Sequence, residues 1–393
     1  MLHRLCRACD TPLGQNFFYQ ERCVFWYGER NEALDSAILD STPPVGLRFC
    51  PNCGLIQLDV TDGLTKILKT VYSSSCSKPG ATHGQNTAYS EKLTADYFRA
   101  YEELAGDWIP EAVLEIGCQS GRLLYDYERR GSKVCIGVEP SDIQPFSRPD
   151  GTRIDVRHDF FTPDVVDSDF DFAFCLQVLE HIDRPQEFLG MMRDVLRPGG
   201  RILIGVPNEE LALISGNIGM VIHQHLNYFT RDSLGYLLGQ AGFKPLRYIH
   251  TQDQPLYVLA EKCEPSVQPS PIECAPSLKA LANEYVASMQ DKFDFIREIV
   301  RRSEGKVGLY GANCAMANIF SWMTDIDESK LMVFDGDPKK QGKYYSGIPL
   351  KIHAPADLCH VDDVIVVPYR LQDQIISYLT HTHPISATVH RLY

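Results

Sequence analysis

A short strand, a glycine turn and a helix follow one another in the middle of the chain. The apolar residues 113–116 lie between Pro110 and Gly117, which predicts a short buried strand. After Gly121, leucine and tyrosine recur at helical spacing. Glycine permits positive φ and lets a ligand approach the backbone closely. The order of strand, turn and helix predicts an α/β fold. Because the N–H groups at a helix start favour anionic groups, we also expect a ligand at the turn.

A second apolar strand ends in Glu139, about 20 residues after the turn, where nucleotide-binding sheets place the carboxylate that accepts ribose hydroxyls. The dinucleotide pattern G-x-G-x-x-G fails, because Gln119 stands two positions after Gly117. The pattern Glu115-x-Gly117-x-x-x-Gly121 instead resembles the first motif of class I S-adenosylmethionine (SAM) methyltransferases. The alternative is an ordinary glycine turn in a βα unit.

Later segments strengthen this resemblance. Asp159-Phe160 follows a further strand, and the runs Leu-Gln-Val-Leu-Glu-His-Ile and Leu-Arg-Pro-Gly-Gly-Arg-Ile-Leu-Ile come after it. These runs strongly resemble the later motifs of class I methyltransferases, in the same order, and a dehydrogenase would not be expected to show them all. The resemblance implies a Rossmann-like core that binds SAM. The implied cofactor-binding residues are Glu115, Gly117, Gly121, Glu139, Asp159, Phe160 and Gln177.

Two CxxC pairs near the N-terminus predict a structural zinc site. They are Cys6-Arg-Ala-Cys9 and Cys50-Pro-Asn-Cys53. Two such knuckles supply four thiolates, which matches a closed tetrahedral zinc site. A redox CxxC would be single and would stand at a helix start. Because all four predicted ligands are cysteine, no position is left for a catalytic water, and the metal is expected to hold a small domain together.

Length and composition exclude several classes of protein. The 393 residues suggest two or three domains, and the net charge of −13 argues against a large nucleic-acid-binding surface. No apolar run reaches the ~18 residues of a transmembrane helix, and the first residues lack the apolar core of a signal peptide. We therefore expect a cytoplasmic protein without a membrane partner, either a monomer or a homodimer, with reduced cysteines.

A histidine-containing segment after Pro207 narrows the resemblance. It reads Ile-His-Gln-His from Ile222 to His225. With the zinc motif and the SAM motifs, it looks like the SAM-dependent sugar C-methyltransferase family, the dTDP-sugar 3-C-methyltransferases of deoxysugar biosynthesis. The resemblance covers essentially the whole chain. It implies a zinc-binding domain (1–65), a methyltransferase domain (66–262) and a C-terminal Rossmann-like substrate-binding domain (263–393).

The C-terminal part fits that division. Apolar strands are predicted within 306–313, 330–335 and 363–368, after a long helix. The turn at Gly311 lacks further glycines at dinucleotide spacing, so a second nucleotide cofactor is not expected. Three lysines follow the second of these strands, at positions Lys339, Lys340 and Lys343. They could bind a diphosphate or form part of a solvated surface, and we expect the solvated surface.

The same resemblance implies a reaction and its catalytic residues. C-methylation beside a ketone requires removal of an α-proton, and the resulting enolate attacks the SAM methyl group. In the related enzymes the loop commonly reads Tyr-His-Glu-His, with the last histidine as base. Here His225 keeps that position, so it is the implied base for a nucleotide-linked keto-deoxysugar. Gln224 and Tyr72 would polarise the adjacent carbonyl, and His181 offers a second imidazole near the cofactor.

Departures from the family loop leave the acceptor atom open. Gln224 cannot carry charge, and the side chain of Ile222 cannot hydrogen-bond. N- or O-methylation of a small natural-product intermediate would not need the side chains that Ile222 and Gln224 replace, because such an acceptor atom is already nucleophilic. A second alternative is a non-catalytic SAM-binding protein. For His181, closing the turn after its strand is an alternative to a catalytic role.

Overall fold

The computed structural model describes residues 5–26, 28–30, 41–73, 88–167, 169–250, 255–264, 275–345, 347–382 and 385–393. Tyr72 belongs to the last turn of a helix, and its side chain lies outside this described part. None of the helices in these ranges is both long enough and apolar enough to cross a membrane.

The described elements form two mixed helix-and-strand regions and a small N-terminal sheet. The strands are β1 (Phe18–Gln20), β2 (Glu29–Arg30), β3 (Val45–Phe49), β4 (Ile56–Leu58), β5 (Ala112–Ile116), β6 (Val134–Val138), β7 (Asp155–Arg157), β8 (Phe170–Leu176), β9 (Leu196–Val206), β10 (Asn227–Tyr228), β11 (Phe243–Ile249), β12 (Leu256–Lys262), β13 (Val307–Tyr310), β14 (Leu331–Phe334), β15 (Tyr344–Tyr345), β16 (Ile352–His353), β17 (Asp363–Val366) and β18 (Thr388–Arg391). The α-helices are α1 (Asp62–Ser73), α2 (Ala88–Ala105), α3 (Arg122–Arg130), α4 (Pro185–Asp194), α5 (Glu209–Ser215), α6 (Arg231–Gln240), α7 (Ala275–Arg302), α8 (Cys314–Trp322) and α9 (Gln372–Ser377).

The central region is built on a seven-stranded sheet with the order β11-β12-β9-β8-β5-β6-β7. The strands from β9 to β7 run parallel, whereas β12 lies antiparallel between β9 and β11. Parallel strands covered by helices bury both faces, and every residue of β5 is buried accordingly. The strand, turn and helix predicted at residues 113–130 are confirmed as β5, its glycine turn and α3.

An aromatic layer holds helices α2 and α3 on one face of this sheet. The hydroxyls of Tyr97 in α2 and Tyr127 in α3 are 2.8 Å apart, so each buried phenol has a hydrogen-bond partner. The Tyr97 ring also stacks on Phe174 of β8, with ring centroids 5.5 Å apart. The predicted α/β class I methyltransferase architecture is therefore present, with both faces of the sheet covered.

The C-terminal region forms a separate five-stranded parallel sheet with the order β16-β14-β13-β17-β18. Strands β13, β14 and β17 lie within the three predicted apolar segments, and the short edge strands β16 and β18 extend the sheet. Helix α7 is the long helix predicted before β13. A parallel sheet with helical crossovers is the expected Rossmann-like arrangement.

Strands from distant parts of the sequence join the N-terminal region to the other two. The N-terminal sheet has the order β1-β3-β4-β10, and Tyr228 of β10 pairs with Ile56 of β4. Strand β2 pairs with β15 through Glu29 and Tyr345. The domain boundaries at residues 65 and 262 remain predictions, and the N-terminal sheet contains one strand from the middle of the chain.

Candidate functional site

The residues predicted to bind the cofactor meet at one edge of the central sheet. Gly117 follows β5, Glu139 follows β6, and Asp159 lies two residues after β7. Gln177 follows β8 and has a left-handed φ of 56°. Ligands of open parallel sheets bind outside the carboxyl ends of the strands, at the point where the strand order reverses. Here β5 lies between β6 and β8, so that point is the end of β5.

The glycine turn after β5 needs its glycines. Gly117 has a φ of 73°, and a Cβ added there would lie 2.5 Å from Cγ2 of Val178. Gly121 has a φ of 74° and precedes the first residue of α3. Both positions disfavour other residues on conformational grounds. The turn therefore presents backbone N–H groups at the start of α3, as expected for the predicted SAM motif.

Glu139 holds this turn in place. Its Oε2 accepts a hydrogen bond from the backbone N–H of Gln119 at 3.0 Å, and its Oε1 accepts one from Ser141 at 3.0 Å. Each carboxylate oxygen has a second lone pair, so Glu139 can still accept ribose hydroxyls.

Replacing Glu139 with alanine is expected to weaken SAM binding about 10- to 100-fold, because hydrogen bonds to a charged group contribute about 1.5–3 kcal/mol. Asp142→Ala is the matched control, since it removes an exposed carboxylate three positions later. Isothermal titration calorimetry measures both. Equal affinity in wild type and Glu139→Ala would contradict the assignment of the ribose site.

Two further residues fit a cofactor that has a cationic and an aromatic part. Glu115 is buried, its Oε2 has no hydrogen-bond partner among the described residues, and burial and the charge of Glu139 raise its pKa well above the usual value. An ammonium group close by would satisfy this oxygen. Phe160 is 62% exposed beside Asp159, so an aromatic face is open at the same edge. The chemistry of these residues fits SAM.

The predicted base lies beside the loop that follows β8. The Nδ1 atom of His181 is 2.8 Å from the backbone oxygen of Gln224, a contact that joins this loop to the histidine-containing segment. The rings of His181 and His225 meet edge to face, with centroids 5.0 Å apart. The fold therefore brings both predicted imidazoles together at the cofactor edge of the sheet.

Burial sets the protonation of both imidazoles. It lowers the pKa of His225 to about 4, and it lowers the pKa of His181 to about 3, with His225 adding to that effect. Both rings are therefore neutral at pH 7. A neutral imidazole has one nitrogen lone pair, which is the requirement for a general base.

Two carboxyl groups that sequence reasoning did not identify lie next to these rings. Oε1 of Glu209 in α5 is 3.7 Å from Nδ1 of His225. Oε1 of Glu180 is 3.8 Å from Nε2 of His181, and neither oxygen of this fully buried carboxyl has a hydrogen-bond partner in the described ranges. Burial raises the pKa of Glu180 well above its usual value and that of Glu209 to about 8, which the charge of Arg370 opposes.

His223 and Gln224 of the histidine-containing segment contact the backbone of the N-terminal region. Nε2 of His223 is 2.9 Å from the backbone oxygen of Pro43, and the amide of Gln224 donates to the backbone oxygen of Trp26 at 3.2 Å. The Tyr228 hydroxyl donates to the oxygen of Ile222 and accepts from its N–H. The catalytic role implied for Gln224 stays a prediction, as does that of Tyr72.

The C-terminal region holds the residues just before this segment. The buried amide of Asn318 in α8 donates to the backbone oxygens of Ile218, at 2.5 Å, and Val221, at 2.9 Å. The Tyr393 hydroxyl accepts from the N–H of Ile218 at 3.0 Å. Contacts from both ends of the described chain therefore fix the position of His225.

The four cysteines of the two CxxC pairs converge as predicted. The sulfur atoms of Cys6 and Cys53 are 3.5 Å apart, and so are those of Cys9 and Cys50. A tetrahedral site with Zn–S bonds of about 2.3 Å places sulfurs roughly 3.8 Å apart, close to these values. The backbone N–H of Ala8 also donates to the sulfur of Cys6, as in a zinc knuckle. The donor set fits zinc held by Cys6, Cys9, Cys50 and Cys53.

Comparisons with known proteins agree with this architecture. A family model described as a methyltransferase domain matches residues 89–248. A ubiquinone biosynthesis O-methyltransferase from Dinoroseobacter shibae is 29% identical over 150 residues, which cover 34% of this chain and 60% of that protein. A tRNA U34 carboxymethyltransferase from Pseudoalteromonas translucida is 26% identical over 140 residues, which cover 34% of this chain and 41% of that protein.

Among solved structures, magnesium protoporphyrin IX methyltransferase from Synechocystis with bound SAH is 15% identical, and the match covers 50% of this chain and 99% of that one with a TM-score of 0.37. The chain spans about 60% of the length of the first curated relative named above. The narrower resemblance to sugar C-methyltransferases therefore remains a prediction. The sheet order and the family match together give the central region of this chain the Rossmann-like fold of the class I SAM-dependent methyltransferases.

Proposed function

We propose that the chain is a SAM-dependent methyltransferase that methylates a carbon atom of a nucleotide-linked keto-deoxysugar, with His225 as the base. The observation that carries this proposal is the position of His225, a half-buried and neutral imidazole beside the cofactor edge of the sheet. When bound, SAM supplies a methyl group already activated on a sulfonium. The protein therefore has to orient the acceptor and remove a proton.

His225 has the properties that removal of a proton from carbon requires. Its neutral ring can accept a proton, and its side chain keeps 16% of its surface exposed, which leaves room for a substrate to reach it. The contacts from Asn318 and Tyr228 restrict the movement of the segment that carries it. General bases held in this way typically contribute ~10²–10⁴-fold to a rate.

A positive charge near Glu209, the carboxyl group next to His225, is compatible with an anionic substrate. Arg370 follows β17 in the C-terminal region and is exposed, and its charge counteracts the burial that raises the pKa of Glu209. A guanidinium in this place suits a diphosphate, which it can bind through two parallel hydrogen bonds. Lys340 is less suited to binding a diphosphate, because its Nζ already forms ion pairs with Asp335 at 3.1 Å and with Glu29 at 3.6 Å.

A second candidate is transfer to oxygen. The name of the Dinoroseobacter relative, a ubiquinone biosynthesis O-methyltransferase, favours it. His225 would then take the proton of a substrate hydroxyl, and no enolate would form. Both candidates use the same cofactor edge and the same base, so the position of the new bond distinguishes them.

Deuterium exchange tests the proposal directly. With dTDP-linked keto-deoxysugars in D₂O and no SAM, the proton on the carbon next to the ketone is expected to exchange, as followed by NMR. Adding SAM with a ¹³C-labelled methyl group should give a product with a new carbon–carbon bond. A methyl group on oxygen without exchange would replace the carbon proposal by the second candidate. Absence of both products with every sugar tested would overturn the choice of substrate class.

A further inference from the structure

Glu209 is a buried carboxyl group that lies next to the predicted base. It is 3% exposed in the first turn of α5, and its Oε1 is 3.7 Å from Nδ1 of His225. That Nδ1 has no hydrogen bond within the described residues. A buried polar atom without a partner is rare. Catalytic hydrogen bonds are often long without substrate and shorten when it binds.

We propose that Glu209 is the positioning residue of His225: it accepts the Nδ1 proton, leaves Nε2 free as the base, and stabilises the imidazolium that forms. This inference rests on the proposed function, because it assigns a partner to the same base. The arrangement follows the general logic in which a buried carboxylate orients a histidine and balances its charge.

No other described group takes the place of Glu209. The titratable and charged groups around His225 are His181 and Glu180 from the loop after β8, Tyr228 from β10 and Glu209 from α5. Beyond Glu209, the groups that interact with it electrostatically are Tyr285 from α7, Cys314 from α8 and Arg370. Nδ1 of His181 already contacts the backbone oxygen of Gln224. The Tyr228 hydroxyl is bonded to Ile222, and Glu180 faces His181.

The histidine-containing segment does not supply this carboxylate itself. The residues from Ile222 to Gln224 are an isoleucine, a histidine and an amide, and the amide of Gln224 donates to Trp26. Glu209 lies in the next element toward the N-terminus, which packs against the long helix α7. The carboxyl group beside the base therefore comes from a separate helix.

Proton balance gives this pair a distinct pH dependence. Burial raises the pKa of Glu209 to about 8 and lowers that of His225 to about 4, so near pH 7 the pair carries a protonated carboxyl and a neutral ring. The carboxyl then donates to Nδ1, and Nε2 bears the ring proton. When the pair loses one proton, the carboxylate accepts from Nδ1 and Nε2 gains a lone pair. The base form thus increases as the pH rises through about 8.

The proposed step is balanced within this pair and the substrate. The substrate C–H bond breaks and an Nε2–H bond forms. The electron pair of the C–H bond moves into the enolate, and the positive charge on the ring lies next to the Glu209 carboxylate. No oxidant or additional reactant is required.

The test compares Glu209→Gln with Glu210→Gln. Glutamine keeps the shape and an acceptor oxygen at position 209 but removes the charge. Glu210 is adjacent in α5, and its Oε2 is 3.5 Å from His250, so its replacement is the matched control. Proton exchange and methyl transfer are measured from about pH 6 to about pH 10, with KM and SAM affinity determined for each variant.

We expect the wild type and Glu210→Gln to gain rate through about pH 8. Glu209→Gln should lose that rise and turn over about 10²–10⁴-fold more slowly, with KM and SAM affinity nearly unchanged. Glu209→Asp, which restores the charge, should recover the pH-dependent rise in part. If Glu209→Gln does not fold, Glu209→Asp alone decides: a retained rise supports the assignment, and its absence overturns it.

The two proposals fail in different ways. A wild-type rate and pH profile in Glu209→Gln would overturn the role of Glu209, while inactivity of His225→Ala would leave the proposed function in place. If neither variant changes proton exchange, the assignment of the base itself is wrong.

Discussion

Replacement of His225 by alanine should lower turnover about 10²–10⁴-fold, the usual contribution of a general base, while SAM affinity stays close to that of the wild type. The ring removed is the neutral, half-buried imidazole beside the cofactor edge. Within the described residues, the hydrogen bonds, ion pairs and ring contacts of His225 are with His181, Glu209, Tyr228 and Ile222, which lie outside the glycine turn. Steady-state kinetics and calorimetry on the same preparation therefore separate loss of chemistry from loss of binding.

Chemical rescue makes this result specific. Truncation of this half-buried ring leaves a space that solvent can reach, and free imidazole added to His225→Ala should restore part of the exchange rate. His360→Ala is the control for loss of an exposed imidazole elsewhere. Full activity of His225→Ala would place the base on another group, with His181 the next residue to test. His223 is less suitable, because its Nε2 contacts the backbone oxygen of Pro43.

Loss of zinc should have the second large effect. Purified protein is expected to contain about one zinc per chain, and Cys53→Ser or chelation should unfold the N-terminal region. The reason is that a structural zinc contributes of the order of 10 kcal/mol, comparable to the whole stability of a domain. Metal analysis, limited proteolysis and hydrogen exchange of β4 and β10 measure the effect. Cys263→Ser is the matched control, because Cys263 is an exposed cysteine outside the cluster.

The turnover rate should fall as the zinc content of the protein falls. Strand β4 follows the second CxxC pair and binds β10, which begins two residues after His225. Unfolding of the N-terminal region is therefore expected to release one side of the histidine-containing segment. A zinc-free preparation that is fully folded and active would contradict both expectations.

Local sequence patterns were sufficient to predict the central βα unit and the convergence of the four cysteines. Gly117 must be glycine because of its φ and the nearby Val178, and this requirement is visible in the residue itself. The four cysteines likewise carry their chemistry and spacing in the sequence. The helix after the turn needed only the spacing of its apolar residues.

Burial set by distant packing was not predictable in this way. Glu209 and Glu210 are neighbours of the same type, and only the packing of α5 makes the first a partner of His225. Lys340 shows the same limit: a lysine-rich stretch favoured a solvated surface, yet this side chain pairs with Asp335 and Glu29, which is far away in sequence. Such contacts depend on which helices and strands pack together, and the spacing of residues in the sequence does not predict this packing.

Strand β10 has a consequence for engineered chimeras. Exchanging N-terminal regions between related enzymes at a boundary near residue 65 would pair β4 of one protein with β10 of another. The two strands would then come from different proteins. The same exchange would replace Pro43 and Trp26, whose backbone oxygens contact His223 and Gln224 of the histidine-containing segment. A transplant that carries residues 218–229 along with the N-terminal region keeps these contacts together, and it is the unit we would choose for recombination.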